Sequence, residues 1–238
     1  MKLLSINQDS KTKKNTKYGF LTGIMYLAPW KLSGKNVCSH ATAGCIKACL
    51  NTAGMGVFSN VQQARINRTN LFYSNRELFF NKLVKEINSL ITKANKNNLI
   101  PNIRLNGTSD LPFENISFVY DGVLYENIFK MFSNIQFYDY TKNPNRIKKI
   151  NNIDNYNITF SKAENNLNDC ITALNNGINV ASVFKSYIPK TYYINGVKYK
   201  VIDGDLDDLR FKDIKGVIIG LIAKGKAKKD NTGFVIQN

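Results

Sequence analysis

The sequence predicts an α/β fold that suits either an open doubly wound sheet or a complete or partial (β/α) barrel, with a partial barrel of about six strands as the first choice. Three observations predict it. Apolar runs of strand length alternate with helix-period segments over most of the chain, which implies a mainly parallel sheet covered by helices. Leu71, Phe72, Phe79, Leu83, Ile87, Leu90 and Ile91 recur mostly at helical spacing, as a buried helix face requires. The strand count then falls short of the eight of a full barrel.

Taken in order, Phe20 to Ala28 reads as a strand ending at Pro29 and Trp30, followed by a loop over 31–58 and a helical pattern over 59–97. Ile100 to Leu105 is a short strand that stops in Asn106-Gly107-Thr108-Ser109-Asp110. A helix near Glu126 to Phe132, strands at Ile135 to Tyr140 and Asn157 to Phe160, and a helix over Asn165 to Asn176 closed by Gly177 come next. Val180 to Phe184 is a further strand, and Tyr192 to Ile194 and Lys198 to Ile202 flank Asn195-Gly196, a strong hairpin signal. A brief helix near Leu206 to Arg210 precedes a final strand, Val217 to Ile222.

Five scattered prolines and the lack of a linker or repeat predict one α/β domain over 1–238, with a cysteine loop at 31–58 and a C-terminal part at 190–238. No apolar run approaches the roughly 20 residues that span a bilayer. Residues 1–17 lack the apolar core of a secretory signal, so a soluble, cytoplasmic protein with no membrane partner is expected. The 33 Lys and Arg outnumber 17 Asp and Glu, for a net charge of +16. That excess admits weak nucleic-acid binding through a basic surface. No recognition motif is visible, and the concentrations at Lys11 to Lys17 and Lys224 to Lys229 do not interleave aromatics.

Chemistry concentrates in Cys38-Ser39-His40-Ala41-Thr42-Ala43-Gly44-Cys45-Ile46-Lys47-Ala48-Cys49. Three thiolates from one short loop can hold three irons of a 4Fe-4S cluster and leave the fourth open. The four-residue step from Cys45 to Cys49 suits one helical turn, and Gly44 allows a tight turn. Zinc is the competitor, with His40 or Cys170 completing a tetrahedron. His40 lies only two residues from Cys38, and the close Cys pair of familiar zinc sites is missing, so the spacing favours iron–sulfur. Cys170, between Leu167 and Ile171 on a helix, reads as a core residue.

Leu27-Ala28-Pro29, the cysteine loop and the segment from Arg104 to Asp110 resemble the phage gene product 88 family. The order of strand, three-cysteine loop, helix and second strand ending in a polar turn also resembles radical S-adenosylmethionine (SAM) proteins. That second resemblance implies a barrel with the cluster at its C-terminal mouth, S-adenosylmethionine on the open iron, and the turn from Asn106 to Asp110 contacting it. The gaps of six and three residues between the cysteines depart from the radical SAM spacing of three and two, and the turn departs from Gly-Gly-Glu.

Residues beyond the carboxyl ends of barrel strands face the site. The cofactor-binding candidates are therefore Asn106, Gly107, Ser109 and Asp110, with Arg104, Asp139, Ser161 and Lys185; the metal candidates are Cys38, Cys45 and Cys49; catalytic residues are unassigned. Asp110 is the nearest acid to pair with Arg104, and Asn106-Gly107 also reads as a turn tolerating positive φ. The expected function is that of a phage-type iron–sulfur protein, a radical SAM-like enzyme acting on an unidentified substrate. The alternatives are a zinc-stabilised basic nucleic-acid-binding protein in phage replication or host takeover, and a non-catalytic cluster-bearing binding module.

Overall fold

A computed structural model of the protein describes residues 1–8, 10–150 and 153–238, without the side chains of residues 10 and 150. The strands are β1 (Leu4–Ile6), β2 (Phe20–Met25), β3 (Ile100–Arg104), β4 (Phe118–Tyr120), β5 (Val123–Tyr125), β6 (Gln136–Thr141), β7 (Tyr156–Ser161), β8 (Val180–Phe184), β9 (Thr191–Ile194), β10 (Val197–Asp203), β11 (Ile218–Ile222) and β12 (Val235–Ile236). The helices are α1 (Ser10–Asn15), α2 (Trp30–Ser33), α3 (Ala43–Lys47), α4 (Ser59–Ser74), α5 (Arg76–Lys96), α6 (Ile128–Met131), α7 (Pro144–Ile150) and α8 (Leu167–Asn175).

Ten strands form one mostly parallel sheet in the order β1-β2-β3-β6-β7-β8-β11-β10-β9, with β12 beside β8. β4 and β5 make a separate antiparallel pair. This corrects the radical-SAM-like partial barrel of about six strands expected from the sequence. Antiparallel strands terminate both ends of the order, β1 on β2 and β9 on β10. Neither end therefore offers the parallel crossover partner that continues a (β/α) barrel. The strands missed from the sequence, β1, β4 and β5 with three residues each and β12 with two, are too short to show a period.

The described residues group into two compact units. The first comprises Met1–Cys38, Phe58–Asp139 and Ile153–Asn157; the second comprises Ser39–Val57, Tyr140–Asn152 and Ile158–Asn238. β6 and β7 begin in the first unit and end in the second.

In the first unit α5 supplies the core, burying Phe79, Phe80, Leu83, Val84, Ile87, Leu90 and Ala94. Each of its larger apolar side chains contributes about 1.5–3 kcal/mol on burial. Gly23 lets this helix approach β2, since a Cβ there would lie 3.0 Å from Leu90 Cδ2. Glu86, on the same helix, accepts from Leu3 N and Leu4 N at 2.8 Å and docks β1. The helical pattern read over 59–97 is two helices. Asn75 breaks it at φ −149° and caps α5 by accepting from Leu78 N at 2.9 Å.

In the second unit Ile147, Phe160, Cys170, Ala173, Leu174, Val180, Phe184, Val201 and Ile218 pack together. Asn195 and Gly196 turn the β9–β10 hairpin with φ of +47° and +80°, the backbone that a type I′ turn demands. Gly177 closes α8 at φ +72°. No described helix is long and apolar enough to cross a membrane.

The same unit buries a charge cluster. Arg210, 2% exposed, pairs with Asp207 at 2.8 Å and with Asp213 at 3.3 Å. Burial pushes the Asp213 carboxyl up to about 6, against the pull of Arg210 and with help from Asp207 and Asp208. The folded state thus holds this proton more tightly than the unfolded chain, whose aspartates titrate near pH 4. The Asp213 contribution to stability is greatest below about pH 4 and falls as pH rises to about 6. Denaturant midpoints should show this as a wild-type minus Asp213→Asn difference that changes between about pH 4 and 6 and is flat above 7. A difference independent of pH across that window would remove the assignment.

Candidate metal centre

The cysteine segment follows the carboxyl end of β2, the end of a parallel sheet where α/β proteins place their sites. Cys38, Cys45 and Cys49 are all half-buried, and no disulfide joins any of the four cysteines. Cys38 belongs to the first unit, and Cys45 and Cys49 belong to the second.

In the first unit Cys38 Sγ donates to the Thr108 carbonyl at 3.9 Å, and Asp110 N donates to the Val37 carbonyl at 2.7 Å. The first cysteine therefore lies against the polar turn after β3. Asn106 organises that turn from its centre. Its Oδ1 accepts from Ser109 Oγ at 2.7 Å and from Leu111 N at 2.8 Å, and its Nδ2 donates to the Leu111 carbonyl at 3.0 Å.

Asp139, fully buried in β6, anchors Asn106 in turn. It accepts from Asn106 N at 2.7 Å, from Asn106 Nδ2 at 3.1 Å and from Tyr156 Oη at 2.8 Å. Asn106, Ser109 and Asp139 thus form one network. Their hydrogen-bonding groups hold the turn in shape, and Thr108, whose Oγ1 donates to the Leu27 carbonyl at 2.6 Å, ties it to the chain after β2.

Neither Asn106 nor Gly107 has a positive φ, contrary to the turn reading. Gly107 is required by crowding instead. A Cβ there would lie 2.7 Å from Ile24 Cγ2, Met25 O and Tyr26 Cδ1. Arg104 is half-buried at the end of β3 with its Cα opposite Ile24.

In the second unit Thr42 caps α3, accepting from Cys45 N at 3.3 Å. Glu164 clasps the same turn, accepting from Thr42 Oγ1 and from Gly44 N, each at 2.7 Å. Burial works against its charge, but those two bonds, with a third from its own backbone, outweigh burial and hold the carboxyl below the usual range. Gly44 has no positive φ; its bare Cα makes room for Glu164, Phe234 and Thr232. Cys45 sits inside α3, whereas Cys49 lies past its end with ψ 135° and starts the next 3-10 turn.

The remaining sequence candidates lie elsewhere in this unit. Ser161 ends β7 and its carbonyl accepts from Asn166 Nδ2 at 3.0 Å. Lys185 follows β8, exposed, with its N–H donating to the Ile236 carbonyl at 3.0 Å. His40 is exposed and paired through Nδ1 with Ser39 Oγ at 2.9 Å. Cys170 is fully buried, its thiol pushed up by burial to about 12, which suits a core residue.

Sequence reasoning missed Glu164, Tyr156 and Thr42. Thr42 carried a readable signal, a Thr just ahead of a short helix. Glu164 lies 120 residues from Gly44, and no local pattern links the two.

Among the described residues, no group of three or more His, Cys, Asp or Glu side chains is placed to hold a metal ion. The donor set, three thiols, fits a thiolate-bound metal in chemistry.

The sequence model of the Gene product 88 family matches residues 2–238, so the chain belongs to that phage family. No curated protein and no solved structure matches the chain.

Proposed function

We propose that this gene product 88 protein binds a thiolate-ligated metal, an iron–sulfur cluster, through Cys38, Cys45 and Cys49. One observation carries the reading. Three half-buried thiols lie within twelve residues, beyond the carboxyl end of a parallel strand. Two further features support it. Thr42 and Glu164 fix the start of the helix bearing Cys45, and Cys38 rests on the turn built around Asn106. Binding draws the thiolates together and releases their protons.

The S-adenosylmethionine expectation came from the radical SAM resemblance, whose implied partial barrel the strand order replaces, and it is not part of this proposal.

Anaerobic purification tests it. Wild-type protein should be brown, with broad visible absorption and matched iron and sulfide. Cys38→Ser, Cys45→Ser and Cys49→Ser should each lose most of the iron, while Cys170→Ala keeps it. Colourless protein with one zinc would replace the cluster by a zinc site. Colourless protein without metal would sink both readings.

A further inference from the structure

The β9–β10 hairpin carries a face that its own core does not use. Register places Lys198 opposite Tyr193 and Lys200 opposite Thr191, so these four side chains share one face. On the other face Tyr192, Ile194, Tyr199 and Val201 pack into the core of the second unit. The split is visible in exposure: Ile194 is 2% exposed and Tyr193 is 59% exposed.

Lys198 and Lys200 are exposed, and so are Lys185, Tyr187 and Lys190 in the segment leading to β9. None of these four lysines forms an ion pair among the described residues. Asp203 is the one acid in residues 185–203. The outcome is a solvent-facing hairpin surface with two lysines outside any ion pair among the described residues and the Tyr193 ring directly opposite Lys198 and diagonal to Lys200. The lysine concentration at Lys224 to Lys229 contains no aromatic residue.

Charge decides the sign of the partner, and the ring decides its class. A polyanion is attracted to the lysines whatever its structure. An exposed tyrosine adds affinity only when the partner offers a flat ring of its own. A duplex hides its base faces by stacking, whereas a single strand offers them. We propose that the solvent-facing side of the β9–β10 hairpin binds single-stranded nucleic acid, with Tyr193 stacking on a base and Lys198 and Lys200 on neighbouring phosphates.

Lysines beside a sheet edge can also guard against pairing with another chain, a role that needs charge without the ring; Lys198 and Lys200 lie on β10, next to the terminal strand β9. Tyr193 therefore separates the two explanations. The test is fluorescence anisotropy with the full chain and a labelled oligothymidylate of about 15 nucleotides, a length within the range of single-strand sites. A duplex of equal length and polyglutamate serve as competitors.

The single strand should be held more tightly than either competitor. Tyr193→Ala should weaken it about tenfold, and Tyr193→Phe should leave it unchanged. Lys198→Ala with Lys200→Ala should lower the slope of log affinity against log salt by about 1.4, at roughly 0.7 for each phosphate no longer neutralised. These side chains are exposed, so circular dichroism should report an unchanged fold. Unaltered binding by Tyr193→Ala, or equal competition by polyglutamate, would overturn the proposal. So would an equal loss of affinity in Lys226→Ala with Lys228→Ala, because binding would then follow overall charge.

Discussion

Asp139→Ala is expected to lower the free energy of unfolding by about 3–5 kcal/mol, seen as a shifted denaturant midpoint and a melting temperature lower by roughly 10 °C. The size follows from what the carboxylate holds. Asp139 is fully buried in β6 and accepts from Asn106 N, Asn106 Nδ2 and Tyr156 Oη. Truncation leaves three buried donors facing a void, and each unsatisfied donor costs about 1–3 kcal/mol before relaxation. Tyr156→Phe removes one donor together with its need for a partner and should cost about 1 kcal/mol. The double variant should then be less destabilised than the sum of the singles, since the two side chains share one hydrogen bond. A loss below 1 kcal/mol for Asp139→Ala, or strict additivity in the cycle, would show that the network does not hold the turn.

That network shows where sequence reading works and where it stops. Buried strands such as Val180–Phe184 were legible because apolar continuity over strand length is a local property. The hairpin was legible because Asn195-Gly196 selects its turn within two residues. The helix break at Asn75 was not read, because apolar residues keep their helical spacing on both sides of it. The strand order escaped for a different reason. β11 enters the sheet between β8 and β10, and only tertiary pairing reveals that.

The candidate site divides in the same way. Spacing picked out the three cysteines, and the polar turn after β3 drew attention to Asn106, Ser109 and Asp110. Which hydrogen bonds each residue makes could not be read, since the partners of Asn106 and Gly44 are Asp139 and Glu164, far along the chain. The glycines divide. Gly177 and Gly196 sit at positive φ as their turns require, whereas Gly44 and Gly107, which read as turn formers, are demanded by close packing at ordinary φ. A sequence shows that a side chain is missing; it does not show what stands in its place.

Gly107→Ala turns that distinction into a measurement. If Gly107 served a left-handed turn, substitution by Asn, which tolerates positive φ, would be mild. Crowding predicts the opposite: Ala should cost about 2–3 kcal/mol, and Asn more. The Ala methyl would sit 2.7 Å from the Met25 carbonyl oxygen, an atom of β2 backbone that cannot rotate away. The turn must therefore lift from the end of β2, lengthening the 2.9 Å bond from Gly107 N to that same carbonyl. Thr108 is the next residue, and its carbonyl receives the Cys38 thiol. Stability and the thiol's surroundings should consequently change together. Denaturation should show the lost stability, and under native conditions Cys38 should react faster with a thiol reagent in the C45S/C49S/C170A background than it does without the glycine change. An Asn variant milder than Ala would restore the left-handed reading. A destabilised protein with unchanged Cys38 reactivity would uncouple the turn from the cysteine segment. Faster reaction in both variants, with Asn the more damaging, is the outcome that the packing around Gly107 requires.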